Sequence, residues 1–415
     1  MNSIEIKEKV LNKGEICDPC LGRQVTLKYQ GISNGTIGAA LRNSESEEEI
    51  NKRIEEKPSP EIKENCFICQ GLLSKLSEMQ SKLFEEAEKI EFENFLIGTK
   101  IPGEIAEKEE LIWTEIPPEN TEPIKRQINR ETGKKLEAKT GKKTEFEDPE
   151  VTFILNFEED KIEKQIKSIY FYGKYNKLER GIPQTKWPCS ECKGKGCEEC
   201  NGTGQQFPYT VEGITAKPLL EETKAEESKF HGQGREDRDA LMIGNGRPFI
   251  IEAVNPIKRN INVKKLQEKI NKNAEGKIRV KDMRYSDKEE VVSLKSRRSD
   301  KIYEIWVKSR AEINEEDMKR LEEVFTEKEI EQRTPTRVNH RRTDKIRKRE
   351  VIKVKAEKID KNMFKARIKA EAGTYIKELV SGDYGRTRPS FAEIIKNKLT
   401  PDKLNVVNID EPSDN

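Results

Sequence analysis

Histidine is scarce in this chain: among 415 residues, His231 and His340 are the only two. A metal site built mainly from imidazole is therefore excluded. No apolar run approaches the roughly 18 residues that a membrane-spanning helix needs, and residues 1–7 lack the apolar core of a signal peptide. These absences predict a soluble cytoplasmic protein that spans no membrane.

The chain also lacks an excess of charge of one sign, because 79 basic residues are balanced by 77 acidic ones. A globally basic nucleic-acid binder is excluded, and RNA binding would need local segregation of charge. Residues 333–349 show such segregation, although a solvated charged face is the alternative interpretation. The basic residues of this segment are Arg333, Arg337, Arg341, Arg342, Lys345, Arg347, Lys348 and Arg349.

All eight cysteines fall into Cys-x-x-Cys pairs. In a cytosolic protein this spacing favours metal ligation over disulfides, and thiolates in sets of four suit zinc. We therefore predict two structural zinc ions, with independent redox pairs as the alternative for the first set. The first set is Cys17, Cys20, Cys66 and Cys69, and the second is Cys189, Cys192, Cys197 and Cys200.

Strand-like and helix-like patterns are interleaved along the chain and predict an α+β protein. Apolar residues recur at helical spacing in some stretches, and β-branched and aromatic residues are enriched in others. We expect helices over residues 72–90, 263–271, 314–325 and 374–380. We expect strands over residues 151–155, 169–172, 249–254, 301–307, 351–354 and 364–368.

The most informative stretch is residues 230–239, where Asp237 lies between Arg235 and Arg238 just after two glycines. Nearby cations favour the ionised form of a carboxyl, and glycines let backbone turn sharply and approach a substrate closely. The pattern suits a nucleophilic carboxylate. A surface turn with a local ion pair is the alternative.

This stretch, Phe-His-Gly-x-Gly-Arg-Glu-Asp, resembles the catalytic motif of the archaeal-type tRNA pseudouridine synthases that act on uridines 54 and 55 of the T arm. The resemblance recurs in residues 173–177, 182–189, 332–335 with 340–342, and 372–379. It implies an N-terminal zinc-binding and THUMP-containing RNA-binding region. A pseudouridine synthase catalytic domain, a mixed sheet flanked by helices, would follow.

The same resemblance implies the domain boundaries. Residues 1–80 would form a zinc-binding module, and residues 81–188 the THUMP-containing RNA-binding domain. Residues 189–204 would form a second zinc knuckle, and residues 205–415 the catalytic domain.

The resemblance also implies the catalytic residues. Asp237 would be the nucleophile, ranked above Asp239 and Glu236. Tyr303 would stack on the target base and assist proton transfer, and Lys377 would pair with the catalytic carboxylate. Pseudouridine formation needs no cofactor, and attack at C1′ of the ribose or C6 of the base stays open.

The remaining implied residues would bind substrate. Ile376 belongs to the Lys377 motif, Leu404 would close the base pocket, and Arg235 would hold the flipped-out nucleotide or a phosphate. The other basic residues of the implied RNA surface are Lys174, Lys177, Arg180, Arg341 and Arg342.

Other functions fit fewer of these features. A non-catalytic, zinc-containing tRNA-binding or chaperone-like protein would leave Asp237, Tyr303 and Lys377 unexplained as a set. Residues 189–204 do resemble the cysteine-rich repeats of DnaJ-type chaperones, but the chain has one such unit and no His-Pro-Asp. Another RNA-modifying enzyme would need a nucleotide or methyl-donor loop, and no Gly-x-Gly-x-x-Gly follows a strand. We expect a monomer that binds tRNA and no nucleotide cofactor.

Overall fold

The computed structural model describes residues 1–410, except for the side chains of His340 and Arg341. Within this range the chain divides into two compact units. The first contains residues 1–167 and 255–259, and the second contains the rest. No helix of the described part is long and apolar enough to cross a membrane.

The first unit combines helices with a small mixed sheet in the order β2-β1-β3-β4. β1 runs parallel to β2 and β3, and β4 is antiparallel to β3. Its strands are β1 Asn94–Lys100, β2 Lys143–Thr144, β3 Val151–Asn156 and β4 Lys161–Ile166. Its helices are α1 Ser3–Leu11, α2 Asp18–Gly22, α3 Asn34–Arg42, α4 Glu47–Glu55, α5 Leu76–Glu88, α6 Gly103–Trp113 and α7 Ile124–Thr140.

The second unit is built on a large mixed sheet in the order β13-β10-β11-β12-β9-β14-β7-β5-β8, with β6 paired to β7. Its pairings are antiparallel except for β14 with β7. Its strands are β5 Ile169–Lys177, β6 Glu227–Gly232, β7 Leu241–Val254, β8 Ile278–Ser286, β9 Lys301–Ser309, β10 Lys328–Arg333, β11 Ile346–Asp360, β12 Met363–Ala370, β13 Thr387–Arg388 and β14 Leu399–Ile409.

The helices of the second unit are α8 Val211–Thr223, α9 Val263–Asn273, α10 Lys288–Ser296, α11 Glu315–Val324, α12 Ile376–Ser381 and α13 Phe391–Ile395. The unit has a continuous core, to which strands β5, β7, β9, β12 and β14 contribute buried residues. This arrangement is the expected α+β class, with a mixed sheet flanked by helices. The predicted helix at 374–380 begins two residues later, at Ile376.

The division into units differs from the expected boundaries. Residues 1–80 and 81–167 lie in one unit, and residues 168–188 lie in the second unit rather than with the RNA-binding region. The reason is strand pairing: β5 bonds to β7 and β8, more than 60 residues further along the chain. A strand's own sequence does not reveal such distant partners.

Candidate functional site

A cavity of about 1000 Å³ opens in the second unit. The segment between β6 and β7 (residues 233–240) forms one wall. We call it the catalytic loop because it contains Asp237, the predicted nucleophile. Gly234 has a φ of +70°, a conformation that favours glycine, at the turn leading to Asp237. The parallel pairing of β7 with β14, which joins Asn405 to Leu241, holds the end of this loop against β14. The cavity brings together five residues predicted to act on or bind the target nucleotide, Asp237, Tyr303, Ile376, Lys377 and Leu404.

The carboxylate of Asp237 has two cationic neighbours from distant parts of the chain. Arg337 Nη1 donates to its Oδ1 at 2.9 Å, and Lys377 Nζ lies 3.5 Å from its Oδ2. Arg337 also donates to Glu378 at 2.7 Å. Burial alone would lower the pKa of Arg337, but Glu378 and Asp237 raise it well above the ordinary value, so this guanidinium stays charged.

The expectation that Arg235 and Arg238 keep Asp237 ionised is corrected by this geometry. Arg235 is exposed at the cavity, and the guanidinium of Arg238 lies 4.8 Å from the ring centroid of Phe207. In an irregular segment, residues adjacent in sequence need not have side chains in contact. The ion pairs with Asp237 are made by Arg337 and Lys377 instead.

Lys377 contacts both aspartates of the motif, and its closer partner is Asp239. Lys377 Nζ lies 2.7 Å from Asp239 Oδ2, against 3.5 Å from Asp237. Partial burial would raise the pKa of Asp239, but the bonds from Lys377 outweigh it and hold that pKa below its ordinary value. The pairing of Lys377 with Asp237 is therefore looser than expected.

Tyr303 lies in β9, opposite Val406 of β14 and Ile368 of β12. Its side chain is buried against the cavity wall. Burial, reinforced by Asp237 and partly offset by Arg247, raises the pKa of Tyr303 to about 12. The hydroxyl therefore keeps its proton at neutral pH and can donate a hydrogen bond.

Below the catalytic loop lies a fully buried polar network that the sequence did not reveal. Glu236, next to Asp237, accepts hydrogen bonds from Tyr175 Oη at 2.8 Å and from Arg247 Nε at 2.8 Å. Arg247 Nη1 also donates to the carbonyl of Gln233 at 2.7 Å. Burial would raise the pKa of Glu236, but Arg247 and Lys177 outweigh it and hold it below the ordinary value. A charged carboxylate thus anchors the loop from inside.

Lys177 belongs to this network, which corrects its assignment to the RNA-facing surface. Its side chain is 0% exposed. Its Nζ donates to the carbonyls of Ile182, Asp237 and Arg238 at 2.9, 3.0 and 3.1 Å. A lysine that satisfies carbonyls of the catalytic loop cannot also contact phosphate from this position.

Two more residues of the implied RNA surface have structural contacts. Arg180 donates to the carbonyls of Asp239 and Leu404 at 2.6 and 2.7 Å, so it joins the catalytic loop to β14. Lys174 is half-buried in β5, outside the cavity lining that the described residues form. The sequence does not indicate that the Arg180 guanidinium bonds to the protein's own backbone.

Replacing Lys177 with methionine should destabilise the second unit by about 3–5 kcal/mol, since it leaves the buried Glu236 short of a cation and removes one hydrogen-bond donor from each of three carbonyls. Denaturant unfolding of Lys177→Met beside Lys272→Met measures this. Lys272 is exposed on α9, so its replacement should change the unfolding free energy by less than about 0.5 kcal/mol. Equal stabilities of the two variants would contradict the role given to Lys177.

Most of the basic segment at residues 333–349 is engaged within the protein. Arg333 pairs with Asp344, Lys348 with Glu329, and Arg337 with Asp237 and Glu378. Arg342 is exposed at the cavity and donates to Tyr375 Oη at 3.0 Å. The side chain of Arg341, predicted to bind RNA, lies outside the described part of the structure.

Both predicted cysteine sets come together as clusters able to hold a metal ion. In each, the sulfur atoms lie within 4.8 Å of one another, and all eight cysteines are free. Measured sulfur–sulfur separations are 3.7 Å for Cys17–Cys69 and 3.8 Å for both Cys189–Cys197 and Cys192–Cys200. A tetrahedral ion with metal–sulfur bonds of about 2.3 Å requires separations of about 3.8 Å, whereas a disulfide requires about 2.05 Å.

Comparison with known proteins identifies relatives over nearly the whole chain. Residues 170–410 match the family model described as Pus10, C-terminal, and residues 80–156 match Pus10 THUMP domain, archaeal. The chain is 36% identical to the tRNA pseudouridine synthase Pus10 of Methanothrix thermoacetophila, covering 97% of this chain and 93% of that protein. It is 38% identical to the protein of the same name from Methanocaldococcus jannaschii, covering 97% and 94%.

Among solved structures, the chain aligns with the crystal structure of a Cbf5-Nop10-Gar1 complex. The identity is 15%, the TM-score is 0.31, and the alignment covers 57% of this chain and 48% of that one. A likeness this weak supports no inference about the site.

Proposed function

This chain belongs to the Pus10 family of tRNA pseudouridine synthases, and we propose that it isomerises uridines 54 and 55 of the tRNA T arm with Asp237 as the nucleophile. The observation that carries the proposal is the carboxylate of Asp237 in the cavity, paired with Arg337 and Lys377 and facing a wall that includes Tyr303 and Leu404. The reaction is an isomerisation, so nothing is added to or removed from the RNA.

The bond changes define what the residues must do. The bond between N1 and C1′ breaks, the base turns, and a bond forms between C5 and C1′. The proton on C5 leaves, and N1 gains one. Asp237 attacks either C1′ or C6, and Arg337 and Lys377 lie beside its carboxylate and orient it.

The other predicted residues then hold the flipped-out base. A uridine taken from the RNA stack needs a floor and a hydrogen-bonding partner. The protonated Tyr303 hydroxyl supplies a proton donor beside an aromatic face, while Ile376 and Leu404 supply apolar surface. Arg235 and Arg342, both exposed at the cavity, are placed to contact phosphates.

The first unit would bind the tRNA body. Its residues 80–156 match an archaeal THUMP-domain model, which motivates the assignment. The partner is tRNA, the reaction uses no nucleotide cofactor, and the enzyme acts as a monomer in the cytoplasm under this proposal. Loss of tRNA binding in a truncation that starts at residue 168 would support an RNA-binding role of the first unit.

Release of tritium from tRNA labelled at C5 of uridine tests the activity, because only a reaction at C5 frees that hydrogen. Purified protein should release it without any added cofactor. Tight tRNA binding without tritium release would instead favour the non-catalytic RNA-binding alternative.

We propose zinc as the ion held by both cysteine clusters, because four thiolates in a tetrahedral set suit it. Metal analysis should find about two zinc ions per chain. Changing Cys197 and Cys200 to serine should remove one ion, and changing Cys20 to serine should remove the other. The latter should also destabilise the first unit more strongly, because that cluster is buried in a core with Ile6 and Leu41. Zinc near zero, or disulfides between the pairs, would contradict this prediction.

Arg341 and Arg342 are proposed to contact the RNA backbone. Changing both to alanine should weaken tRNA binding. It should also lower the dependence of log Kd on log salt, by about one unit or less for each phosphate that the protein no longer neutralises. Affinity measured over a salt series checks this, with Lys272→Ala as a control outside the cavity lining. An unchanged slope in the double variant would show that the segment is a solvated charged face.

A further inference from the structure

Three side chains form a small aromatic and cationic cluster at one side of the cavity, which we call the rim cluster: Trp187, Phe207 and Arg238. The rings of Trp187 and Phe207 meet edge to face, with centroids 5.5 Å apart and planes at 75°. The guanidinium of Arg238 lies 4.8 Å from the Phe207 ring centroid. Trp187 and Arg238 both line the cavity that contains Asp237. None of the roles described above uses Trp187 or Phe207.

The second cysteine cluster holds these two rings together. Trp187 and Phe207 flank the hairpin of residues 189–204, which contains the four cysteines of the second cluster. At its base, the amide of Gln206 donates to the carbonyl of Trp187 at 2.9 Å, and the amide of Cys189 donates to the carbonyl of Gly204 at 2.8 Å. The hairpin of residues 189–204 therefore fixes the position of an aromatic pair beside the cavity that contains Asp237.

A shared cavity ties the rim cluster to the reacting nucleotide, because Trp187 and Arg238 line the same cavity as Asp237. Lys177 bonds to the carbonyls of both Asp237 and Arg238, which holds the backbone between them. A strand whose target uridine occupies the cavity therefore brings a neighbouring nucleotide within reach of Arg238 and Trp187. The rings are only half-buried, so they are accessible to such a group.

Charge and shape indicate which group this is. Eight lysines and arginines line the cavity, against three acidic residues, which favours an anionic ligand. Partly exposed aromatic rings beside arginine form a surface on which unpaired bases stack, whatever their identity. A tRNA strand, the ligand of the proposed function, is anionic and carries flat aromatic groups, so it matches both properties of this surface.

We propose that the rim cluster is a nucleotide subsite, in which an unpaired base next to the target uridine stacks on Trp187 while Arg238 contacts its phosphate. The inference rests on the proposed function and extends it, since it assigns a second nucleotide to the site. It also gives the second metal cluster a role in RNA recognition, through the hairpin that carries Trp187 and Phe207.

The test couples a protein change to an RNA change. Binding is measured with full-length, metal-loaded Asp237→Asn protein, which leaves the RNA unmodified, and with tRNAs carrying one abasic nucleotide near the target uridine. Trp187→Ala should weaken binding of intact tRNA about five- to a hundredfold. With the parent protein, an abasic nucleotide at one position should weaken tRNA binding to a similar extent. Trp187→Ala combined with that abasic tRNA should bind no more weakly than with either change alone. Trp187→Phe should keep most of the affinity.

Trp306→Leu is the matched control, because Trp306 lies on β9 outside the cavity lining, with Lys365 5.0 Å from its ring. Metal content and unfolding midpoint of Trp187→Ala should equal those of the parent; if they fall, Phe207→Leu replaces it. Two outcomes would overturn the subsite. One is unchanged tRNA affinity of Trp187→Ala, as expected of a patch that binds protein. The other is that the losses from Trp187→Ala and from the abasic nucleotide multiply at every abasic position. Tritium release by the unaltered enzyme tests the proposed function separately, so the two failures are distinguishable.

Discussion

Changing Asp237 to asparagine should abolish pseudouridine formation, lowering the rate of tritium release by at least about a thousandfold. An amide keeps the shape of the carboxylate but cannot attack as an anion. The variant should fold and still bind tRNA, because the loop is anchored by Glu236, Arg247 and Lys177 rather than by Asp237. Single-turnover tritium release at saturating enzyme measures the effect without interference from binding.

The matched control is Asp239→Asn, two residues away in the same loop. The Asp239 side chain is 61% exposed and is held by Lys377. The Asp239→Asn variant should retain at least part of the activity. If Asp239→Asn is inactive while Asp237→Asn releases tritium near the parental rate, the nucleophile has been assigned to the wrong aspartate.

Changing Arg337 to methionine should lower the rate constant of the chemical step about a hundred- to a thousandfold while affecting tRNA affinity far less. Arg337 Nη1 lies 2.9 Å from Asp237 Oδ1, so its removal takes away the closest cation and the group that aims the carboxylate. From the sequence, Arg337 is recognised only as one cation of the basic segment at residues 333–349. Its charge faces Asp237 and Glu378 rather than RNA backbone.

The Arg337→Lys variant separates two contributions of Arg337, namely its orientation of the Asp237 carboxylate and its positive charge. A lysine keeps the cation but cannot bond Asp237 and Glu378 through one planar fork, so it should recover only part of the rate. Both variants leave the largely buried Glu378 short of a partner at a cost of about 1–3 kcal/mol, which denaturant unfolding reports. A methionine variant as fast as the parent under single turnover would show that Arg337 has no role in the reaction.

The sequence predicted which residues share the cavity but not what surrounds them. Asp237, Tyr303, Ile376, Lys377 and Leu404 were recognised because each lies in or near a motif, and all five line one cavity. Their chemical roles stay predictions. Neighbours in sequence were a poor guide to neighbours in space: Arg238 lies over Phe207, while the closest cation to Asp237 comes from a residue 100 positions later.

Buried charge was the least predictable feature. The family resemblance implied that Lys177 lies on the RNA face, as expected of a residue that is usually exposed, yet it is enclosed beneath the catalytic loop. Only the pairing of β5 with β7, which places Tyr175 opposite Arg247, brings this network together. The two cysteine clusters were easier to predict from the sequence, because the spacing of four thiols already restricts the geometry that they can adopt.

The central claim is most directly tested by mapping pseudouridine, nucleotide by nucleotide, in unmodified tRNA treated with the purified protein. We expect pseudouridine at positions 54 and 55 with the parent enzyme and at neither position with Asp237→Asn. Absence of pseudouridine with the parent enzyme, or its formation only outside the T arm, would contradict it.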